Sequence, residues 1–254
     1  MRISSFGHTD IGPKRDFNED SFLSAVLSDG AARFGPITLL IVADGIGGHA
    51  GGEVASALAV EKVNAHVVGR LKAGTPAESG VRILEEAFTV ANDVVFRRAA
   101  QGDHLTGMGT TLVAALIAEG HAYAANVGDS RLYHVRGEAI SLISRDHSWT
   151  AEQFRLNLIS AKDISRSPFR NMVTRSIGFS ESIAVDTFDF DLQMGDGLLL
   201  CTDGLHGPLP EKDMLKIFRT NEEPEKISRA LVRAADKAGS RDNITAVVAL
   251  ILGD

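Results

Sequence analysis

The chain has 254 residues, of which 44% are hydrophobic and 23% are charged, and its formal net charge is −7. This composition is typical of a globular domain with a sizeable core, and the negative charge argues against a nucleic-acid partner. A single cysteine, Cys201, excludes a disulfide framework and is typical of a reducing compartment. No apolar run approaches the ~20 residues that span a bilayer, so we expect a cytoplasmic protein without a membrane anchor.

The first half of the chain predicts strands followed by helices. Strands are expected at 2–7 and 21–27, and an apolar run rich in Ile, Leu and Val predicts a fully buried strand from Ile37. That run ends at Asp44-Gly45 and is followed by further glycines. Two helices are expected next, one from Glu53 and one over 77–100, because apolar residues recur every three or four positions.

The second half is mainly β-structure. Short β-prone runs over 110–143, separated by turn residues, predict an antiparallel meander. Residues 148–172 are irregular and polar, and we interpret them as a surface flap. The remaining expected elements are strands at 184–190, 198–202 and 243–252, a short helix after Pro210 and a longer helix over 224–238.

The order of these elements predicts the fold class. Helices do not alternate strictly with strands, which favours an α+β architecture of stacked antiparallel sheets with helices outside. We find no repeat, linker or low-complexity tract, so residues 1–254 are predicted to form a single domain.

Acidic residues recur where a loop meets an apolar strand. Each is ordinarily a turn or a solvated-loop residue when taken alone. Carboxylates that converge from several strands repel one another unless a cation lies between them. Oxygen ligands without a Cys or His pair favour Mg²⁺ or Mn²⁺. The candidates are Glu19, Asp20, Asp44, Asp129, Asp203 and Asp242.

This pattern is typical of metal-assisted phosphoryl transfer. Two such ions about 3.5–4 Å apart activate a water and clamp a phosphoryl oxygen. Arg15 is a candidate for holding the phosphate with its planar set of donors. A general acid must then protonate the leaving alkoxide, and His49, five residues after Asp44, is a candidate.

An alternative interpretation uses the same glycines. Residues 45–50 match the loose pattern G-x-G-x-x-G/A between a strand and a helix, with Glu61 downstream as a possible ribose acceptor. Two features count against a dinucleotide-binding enzyme. Asp44 would repel a pyrophosphate in the absence of a metal, and the β-rich stretch from Thr110 does not continue a βαβ pattern.

Seven motifs in chain order give a resemblance to a known family. The chain resembles the bacterial branch of the metal-dependent (type 2C, PPM) Ser/Thr protein phosphatases over almost its whole length. The motifs are RDFNED (15–20), VADGIGGHAGG (42–52), GMGTTLVAAL (107–116), NVGDSRLY (126–133), RNMVTRSIG (170–178), LLLCTDGL (198–205) and SRDNITAVV (240–248).

This resemblance implies a four-layer αββα sandwich with a dinuclear Mn²⁺ or Mg²⁺ centre. By similarity, Asp44 bridges both ions and the carbonyl of Gly45 binds one of them. Asp203 and Asp242 bind the first ion, and Glu19 mainly orders waters of the second.

The remaining site residues also follow from the resemblance. Asp20 belongs to the same acidic motif as a metal-site residue, and Asp129 helps to hold a third, weaker ion. Arg15 matches the phosphate-binding arginine, and His49 occupies the position of the general acid. Residues 148–172 match a flap beside the active site.

The implied function is hydrolysis of phosphoserine and phosphothreonine in proteins by a metal-activated water. We expect a monomer whose partners are phosphorylated proteins, namely a cognate Ser/Thr kinase that the enzyme opposes and the substrates of that kinase. Two alternatives remain open at this point. One is a catalytically silent relative that binds phosphoproteins, and the other is the dinucleotide-binding enzyme.

Overall fold

The structure is a computed structural model that describes residues 1–27, 37–47, 51–75, 79–101, 105–164 and 167–253. Its strands, in chain order, are β1 (Arg2–Asp10), β2 (Asp20–Leu27), β3 (Ile37–Ile46), β4 (Gly109–Thr110), β5 (Leu112–Ala118), β6 (His121–Val127), β7 (Arg131–Arg136), β8 (Ala139–Leu142), β9 (Asp186–Asp191), β10 (Gly197–Cys201) and β11 (Ile244–Leu252). Its helices are α1 (Gly51–Lys72), α2 (Gly80–Ala99), α3 (Trp149–Arg155), α4 (Ala161–Ile164), α5 (Asp203–His206), α6 (Glu211–Arg219) and α7 (Pro224–Lys237).

These strands form two antiparallel sheets that pack face to face. One sheet has the order β1-β11-β10-β7-β8, and the other has the order β2-β3-β5-β6-β9, with the short β4 paired to β3. Helices α1 and α2 pack on the outer face of the second sheet, and α7 packs on β1 and β11 of the first. The arrangement is the expected αββα sandwich, and the predicted α+β fold class is confirmed.

Strand β3 explains why its sequence is apolar at successive positions. Leu39, Ile41 and Ala43 belong to the core between the second sheet and its helices. Leu40 and Val42 belong to the core between the two sheets. Because side chains alternate between the faces of a strand, a strand that is covered on both faces needs an apolar residue at every position.

The helices follow the predicted periodicity. In α2, Leu84, Phe88, Ala91 and Val95 are fully buried at spacings of three and four residues. Cys201 is also fully buried, at the end of β10, as expected for a core residue. No helix in the described ranges is long and apolar enough to cross a membrane.

The predicted meander over 110–143 is wrong in one respect. Strands β5 and β6 pair in the second sheet, but β7 and β8 belong to the first. The chain crosses between the sheets over residues 128–130, where Gly128 has a φ of +103°. Both sheets are antiparallel and buried, so β-propensity alone does not indicate which sheet a strand joins.

Helix α1 begins earlier than predicted, at Gly51 rather than Glu53. Helix α5 was not predicted, and most other boundaries differ by one to three residues. The predicted start of α2 at Ala77 lies outside the described residues.

Candidate active site

One pocket of about 470 Å³ lies where ends of both sheets meet. Asp44 comes from β3, Asp203 begins α5 just after β10, and Asp242 precedes β11. Of the predicted site residues that the structure describes, the pocket collects all except Asp20. Those that line it are Arg15, Glu19, Asp44, Gly45, Asp129, Asp203 and Asp242.

The backbone around Asp44 is fixed by two threonines. The Asp44 N–H donates to Thr111 Oγ1 at 3.0 Å, and the Thr111 N–H donates to the Asp44 carbonyl at 2.9 Å. Thr110 Oγ1 also donates to that carbonyl, at 2.8 Å. Thr111 Oγ1 lies 2.7 Å from Ser130 Oγ, so one hydroxyl pair connects β3 with the residue that follows Asp129.

Gly45 lies where three segments of backbone approach closely. Its N–H donates to the Glu19 carbonyl at 3.2 Å. A Cβ at Gly45 would lie 2.4 Å from the carbonyl oxygen of Gly52 and 2.6 Å from that of Glu19. Only glycine fits this position without displacing backbone, and its peptide therefore lies directly in the wall of the pocket.

Arg15 is held beside the acidic residues. Its Nη2 donates to Asp242 Oδ2 at 2.6 Å, and its Nη1 lies 4.0 Å from Glu19 Oε2. The hydrogen bond with Asp242 raises the pKa of Arg15 above its usual value. The side chain remains 45% exposed, so part of its set of donors can reach a bound anion.

Asp20 lies beneath the pocket rather than in its wall. It pairs with Asp44 in the register of β2 and β3. Its Oδ2 accepts hydrogen bonds from Thr202 Oγ1 at 2.9 Å and from Thr245 Oγ1 at 2.6 Å. Both threonines belong to the β10–β11 side of the sandwich, so Asp20 ties the two sheets together. Its predicted role toward a metal stays a prediction.

Two histidines support the turn that carries Asp129. The Gly128 N–H donates to His147 Nδ1 at 3.0 Å, and His206 Nε2 lies 3.0 Å from the Asp129 carbonyl oxygen. Burial lowers the pKa of His206 to about 4, so its imidazole is neutral at pH 7 and donates from Nε2 to that carbonyl. Both histidines act through the backbone of the turn.

The pocket holds more negative charge than its surroundings neutralise. Burial, followed by repulsion from Asp20 and Asp203, raises the pKa of Asp44 well above its usual value. Burial and the neighbouring Asp203 raise the pKa of Asp129 to about 8. Glu19 Oε1 and Asp203 Oδ1 are buried and accept no hydrogen bond from the described part of the chain. Buried carboxylate oxygens of this kind require a cation or a proton.

These donors fit a hard divalent ion. All of the side-chain candidates are carboxylates, which suit Mg²⁺ and Mn²⁺. Across the described residues, no three His, Cys, Asp or Glu side chains are already grouped so that they could hold one ion. Mg²⁺ is usually bound by one or two carboxylates and keeps several waters, so a preformed cage is not required. Asp242 lines the pocket while it accepts a hydrogen bond from Arg15, so a bound ion would share this carboxylate with the guanidinium.

Some supporting residues were missed in the sequence. Thr111, Ser130 and Asn243 all lie inside the quoted motifs, and Ser130 and Asn243 directly follow Asp129 and Asp242. Asn243 accepts from the Glu19 N–H at 2.8 Å through its side-chain oxygen, which fixes Glu19 beside the last strand. That adjacency was the available signal for Ser130 and Asn243, whereas Thr111 has no acidic neighbour in the sequence. His49, the predicted general acid, lies outside the described residues.

Comparison with known proteins gives consistent matches over nearly the whole chain. The family model described as Protein phosphatase 2C matches residues 14–248. The serine/threonine phosphatase stp of Listeria innocua is 34% identical over 240 residues, which cover 94% of this chain and 92% of the relative.

Solved structures agree with the sequence matches. The serine/threonine phosphatase Stp1 from Staphylococcus aureus superposes with a TM-score of 0.89 at 29% identity, covering 100% of this chain and 96% of that one. The catalytic domain of the serine threonine protein phosphatase PstP, in complex with 2 manganese ions, gives a TM-score of 0.84 at 28% identity and covers 99% of each chain. The resemblance drawn from the motifs is therefore confirmed, and the chain belongs to the protein phosphatase 2C family.

Proposed function

We propose that this pocket hydrolyses phosphoserine and phosphothreonine esters of proteins with the help of two divalent ions, Mn²⁺ or Mg²⁺. As a member of its family, the chain is a metal-dependent Ser/Thr protein phosphatase. The observation that carries the proposal for the site is the convergence of acidic residues from widely separated segments beside one arginine. The residues concerned are Arg15, Glu19, Asp44, Asp129, Asp203 and Asp242.

The carboxylates would hold the ions. In this assignment, Asp44, Asp203 and Asp242 would hold the ions through their carboxylates. The Gly45 carbonyl would add a further ligand, and Glu19 would mainly order metal-bound waters. Glu19 Oε1 and Asp203 Oδ1 accept no hydrogen bond from the described residues, and nearby cations would offset the cost of burying these oxygens.

Two further carboxylates complete the assignment. Asp129 lines the same pocket and would hold a third, weaker ion together with Asp203. Asp20 would act from beneath, where it fixes β2 and therefore the position of Asp44 opposite it. When bound, the ions would supply an activated water and would neutralise charge on the phosphoryl group.

Arg15 orients the phosphate in this mechanism. Its guanidinium has five N–H donors, so it can keep its hydrogen bond to Asp242 while other donors bind two phosphate oxygens. This geometry holds the ester in line for attack and reduces the entropy cost of reaching the transition state. The leaving alkoxide needs a proton, and His49 is the residue that we assign to that role.

Hydrolysis with and without metal tests the proposal. Wild-type protein should hydrolyse p-nitrophenyl phosphate and a phosphothreonine peptide with Mn²⁺ or Mg²⁺, and EDTA should abolish both activities. Asp203→Asn should lower kcat/KM by at least about a hundredfold, because it removes a carboxylate that binds the metal. Asp213→Asn, on α6 and outside the pocket, is the matched control and should retain wild-type activity.

Several outcomes would contradict the proposal. Turnover that persists in EDTA, or full activity in Asp203→Asn, would exclude the assigned metal chemistry. Tight binding of the phosphothreonine peptide without hydrolysis would instead favour the silent phosphoprotein-binding alternative. Calorimetric titration with Mn²⁺ should give two strong sites per chain, and a single site would contradict the dinuclear assignment.

The dinucleotide-binding alternative is not favoured. Every strand pair in the described residues is antiparallel, so the βαβ unit that this function requires is absent from that part of the chain. The substrates that we propose are products of Ser/Thr kinases, and the enzyme would therefore oppose such a kinase.

A further inference from the structure

A second groove of about 550 Å³ opens beside the catalytic pocket. The two cavities share four lining residues, which are Asn171, Asp129, Asp203 and Asp242. A substrate chain whose phosphate lies in the pocket can therefore continue into the groove without leaving the surface. The groove is within the size range of ligand-binding clefts, roughly 300–1,000 Å³.

Two arginines in this groove have no side-chain partner among the residues that the structure describes. Arg170, at the end of the flap segment 148–172, and Arg241, directly before Asp242, line the groove and are exposed. Neither guanidinium forms an ion pair or hydrogen bond with another described residue. An arginine side chain is always charged and binds anions through its N–H donors. Because no described carboxylate occupies these donors in Arg170 or Arg241, both side chains are available for an external anion.

A third arginine in the groove, by contrast, is paired with a carboxylate. Arg131 donates to both oxygens of Asp146, at 2.9 Å from Nε and 2.7 Å from Nη2, and its side chain is only 24% exposed. Its charge is neutralised within the protein. The carboxylates in the groove wall, Asp129, Asp203 and Asp242, are those assigned to the ions. With ions bound, Arg170 and Arg241 leave the groove with unpaired positive charge in a chain whose net charge is −7.

The groove lies close enough to the catalytic pocket to contact substrate residues next to the phosphorylated one. Arg241 is adjacent in sequence to Asp242, and Arg170 is adjacent to Asn171, and both of those neighbours line the catalytic pocket. An extended peptide advances about 3.3–3.6 Å per residue. A side chain one to three residues from the phosphoresidue would therefore reach the two guanidinium groups.

We infer that Arg170 and Arg241 select protein substrates that carry a second anionic group, phosphate or carboxylate, within three residues of the phosphoresidue that is hydrolysed. This inference rests on the proposed function and adds a substrate class to it. Arginine suits both anions because its planar set of donors binds two oxygens at once. Kinase substrates phosphorylated at neighbouring positions belong to this class.

Matched peptides test the inference. We would compare kcat/KM, with Mn²⁺, for phosphothreonine peptides that are identical except at one position, scanned over three residues on either side. That position carries phosphoserine, Glu or Ala. The wild-type enzyme should prefer an anionic neighbour over Ala by at least threefold at low salt, with the phosphoserine and Glu arms separating the two sources of charge.

Variants of the two arginines test whether they cause the preference for an anionic neighbour. Arg241→Gln and Arg170→Gln should each reduce the preference by roughly two- to fivefold, as expected for one exposed ion pair. Arg241→Glu should reverse it, so that Ala is preferred over Glu. Arg233→Gln is the control, because Arg233 is exposed on α7 and lies outside the groove, and it should keep the wild-type preference.

The outcomes separate this inference from the proposed function. Equal hydrolysis of all three peptides by the wild type, or an unchanged preference in both glutamine variants, would overturn the inference and leave the phosphatase activity standing. Hydrolysis of none of the peptides would overturn the proposed function, and the inference with it. A preference that also falls in Arg233→Gln would show general charge attraction and would overturn the assignment to the groove.

Discussion

Thr111 and Ser130 join two acidic segments of the active site through one pair of hydroxyl groups. Their oxygens lie 2.7 Å apart, and both residues are buried. Thr111 also holds the backbone of Asp44 from both sides of its peptide. Ser130 follows Asp129 directly, so this pair sets the position of the Asp129 segment relative to β3. These residues would act by positioning, since neither is assigned to the ions or to the phosphate.

Removing the Ser130 hydroxyl should therefore weaken both folding and catalysis. Ser130→Ala leaves the buried Thr111 hydroxyl without this partner, which should lower the free energy of unfolding by about 1–2 kcal/mol. Because Asp129 is then less well fixed, kcat/KM with Mn²⁺ should fall by roughly tenfold. Urea unfolding and hydrolysis of p-nitrophenyl phosphate measure the two effects.

A second pair of serines provides the control for this variant. Ser24 Oγ donates to Ser5 Oγ at 2.8 Å, between β2 and β1 and outside the catalytic pocket. Ser24→Ala should lower stability without lowering kcat/KM. Ser130→Ala with normal catalysis would mean that the hydroxyl pair has only a structural role.

At the scale of secondary structure, the start of α1 is part of the site. Its first residues, Gly51 and Gly52, are buried, Gly51 against Met108 and Gly52 against the segments that carry Glu19 and Gly45. A Cβ at Gly52 would lie 2.5 Å from Glu19 Oε1 and 3.0 Å from the carbonyl carbon of Gly45. The glycines reduce helix propensity, but they allow the helix to approach the acidic residues.

Two glycine substitutions in this helix should therefore have opposite effects. Gly69→Ala, where a Cβ would have no atom within 4 Å, should raise the free energy of unfolding by about 0.5–1 kcal/mol. Gly52→Ala gains the same helix propensity but displaces Glu19, so it should lower kcat/KM and weaken Mn²⁺ binding. Chemical denaturation and calorimetric titration distinguish the two. Equal behaviour of the two variants would show that Glu19 moves without cost.

The secondary-structure elements that could be predicted from the sequence are those set by local burial patterns. Strand β3 was predicted because burial on both faces leaves a continuous apolar run, and α2 because its buried stripe repeats every three or four residues. The start of α1 was not predicted, because the reason for its glycines is contact with Glu19, far away in the sequence. The division of β5–β8 between two sheets was not predicted either, since pairing partners are not encoded in β-propensity.

For the whole molecule, more of the acidic site residues could be predicted from the sequence than of the residues that hold them in position. The acidic residues stood out because each lies where an apolar strand meets a loop, and in the structure most of them line one pocket. The inward direction of Asp20 depends on how the sheets stack, which the sequence does not indicate. The contacts of Ser130 and His206 join residues 19 and 77 positions apart, and the sequence does not indicate which distant residue either side chain contacts.

Collecting carboxylates at one end of the sandwich should make stability depend on both pH and metal. Burial raises the pKa of Asp20 to about 7, that of Asp129 to about 8 and that of Asp203 to about 6, from a usual value of 3.8. The metal-free folded state therefore binds more protons than the unfolded state over this range. Its free energy of unfolding must then fall as the pH rises.

Buried histidines oppose this trend only at lower pH. Burial lowers the pKa of His147 and His206 below 6.5, so these groups favour the folded state increasingly as the pH rises toward 6.5. At pH 6.5 an unfolded imidazole is still half protonated, and about one pH unit higher these groups are neutral in both states. The opposing effect of the histidines therefore fades across the lower half of the window from pH 6.5 to 8.5, and the raised carboxyls dominate its upper half.

In EDTA, the Tm should fall from pH 6.5 to pH 8.5, with each raised carboxyl contributing up to about 1.4 kcal/mol per pH unit. Asp129→Asn should flatten this slope, whereas Asp213→Asn on α6 should keep it. Mn²⁺ binds the ionised carboxylates, so the increase in Tm that it causes should be larger at pH 8 than at pH 6.5. A slope that Asp129→Asn leaves unchanged would show that this carboxyl is already ionised in the metal-free fold at pH 6.5, and the raised pKa assigned to Asp129 would then be wrong.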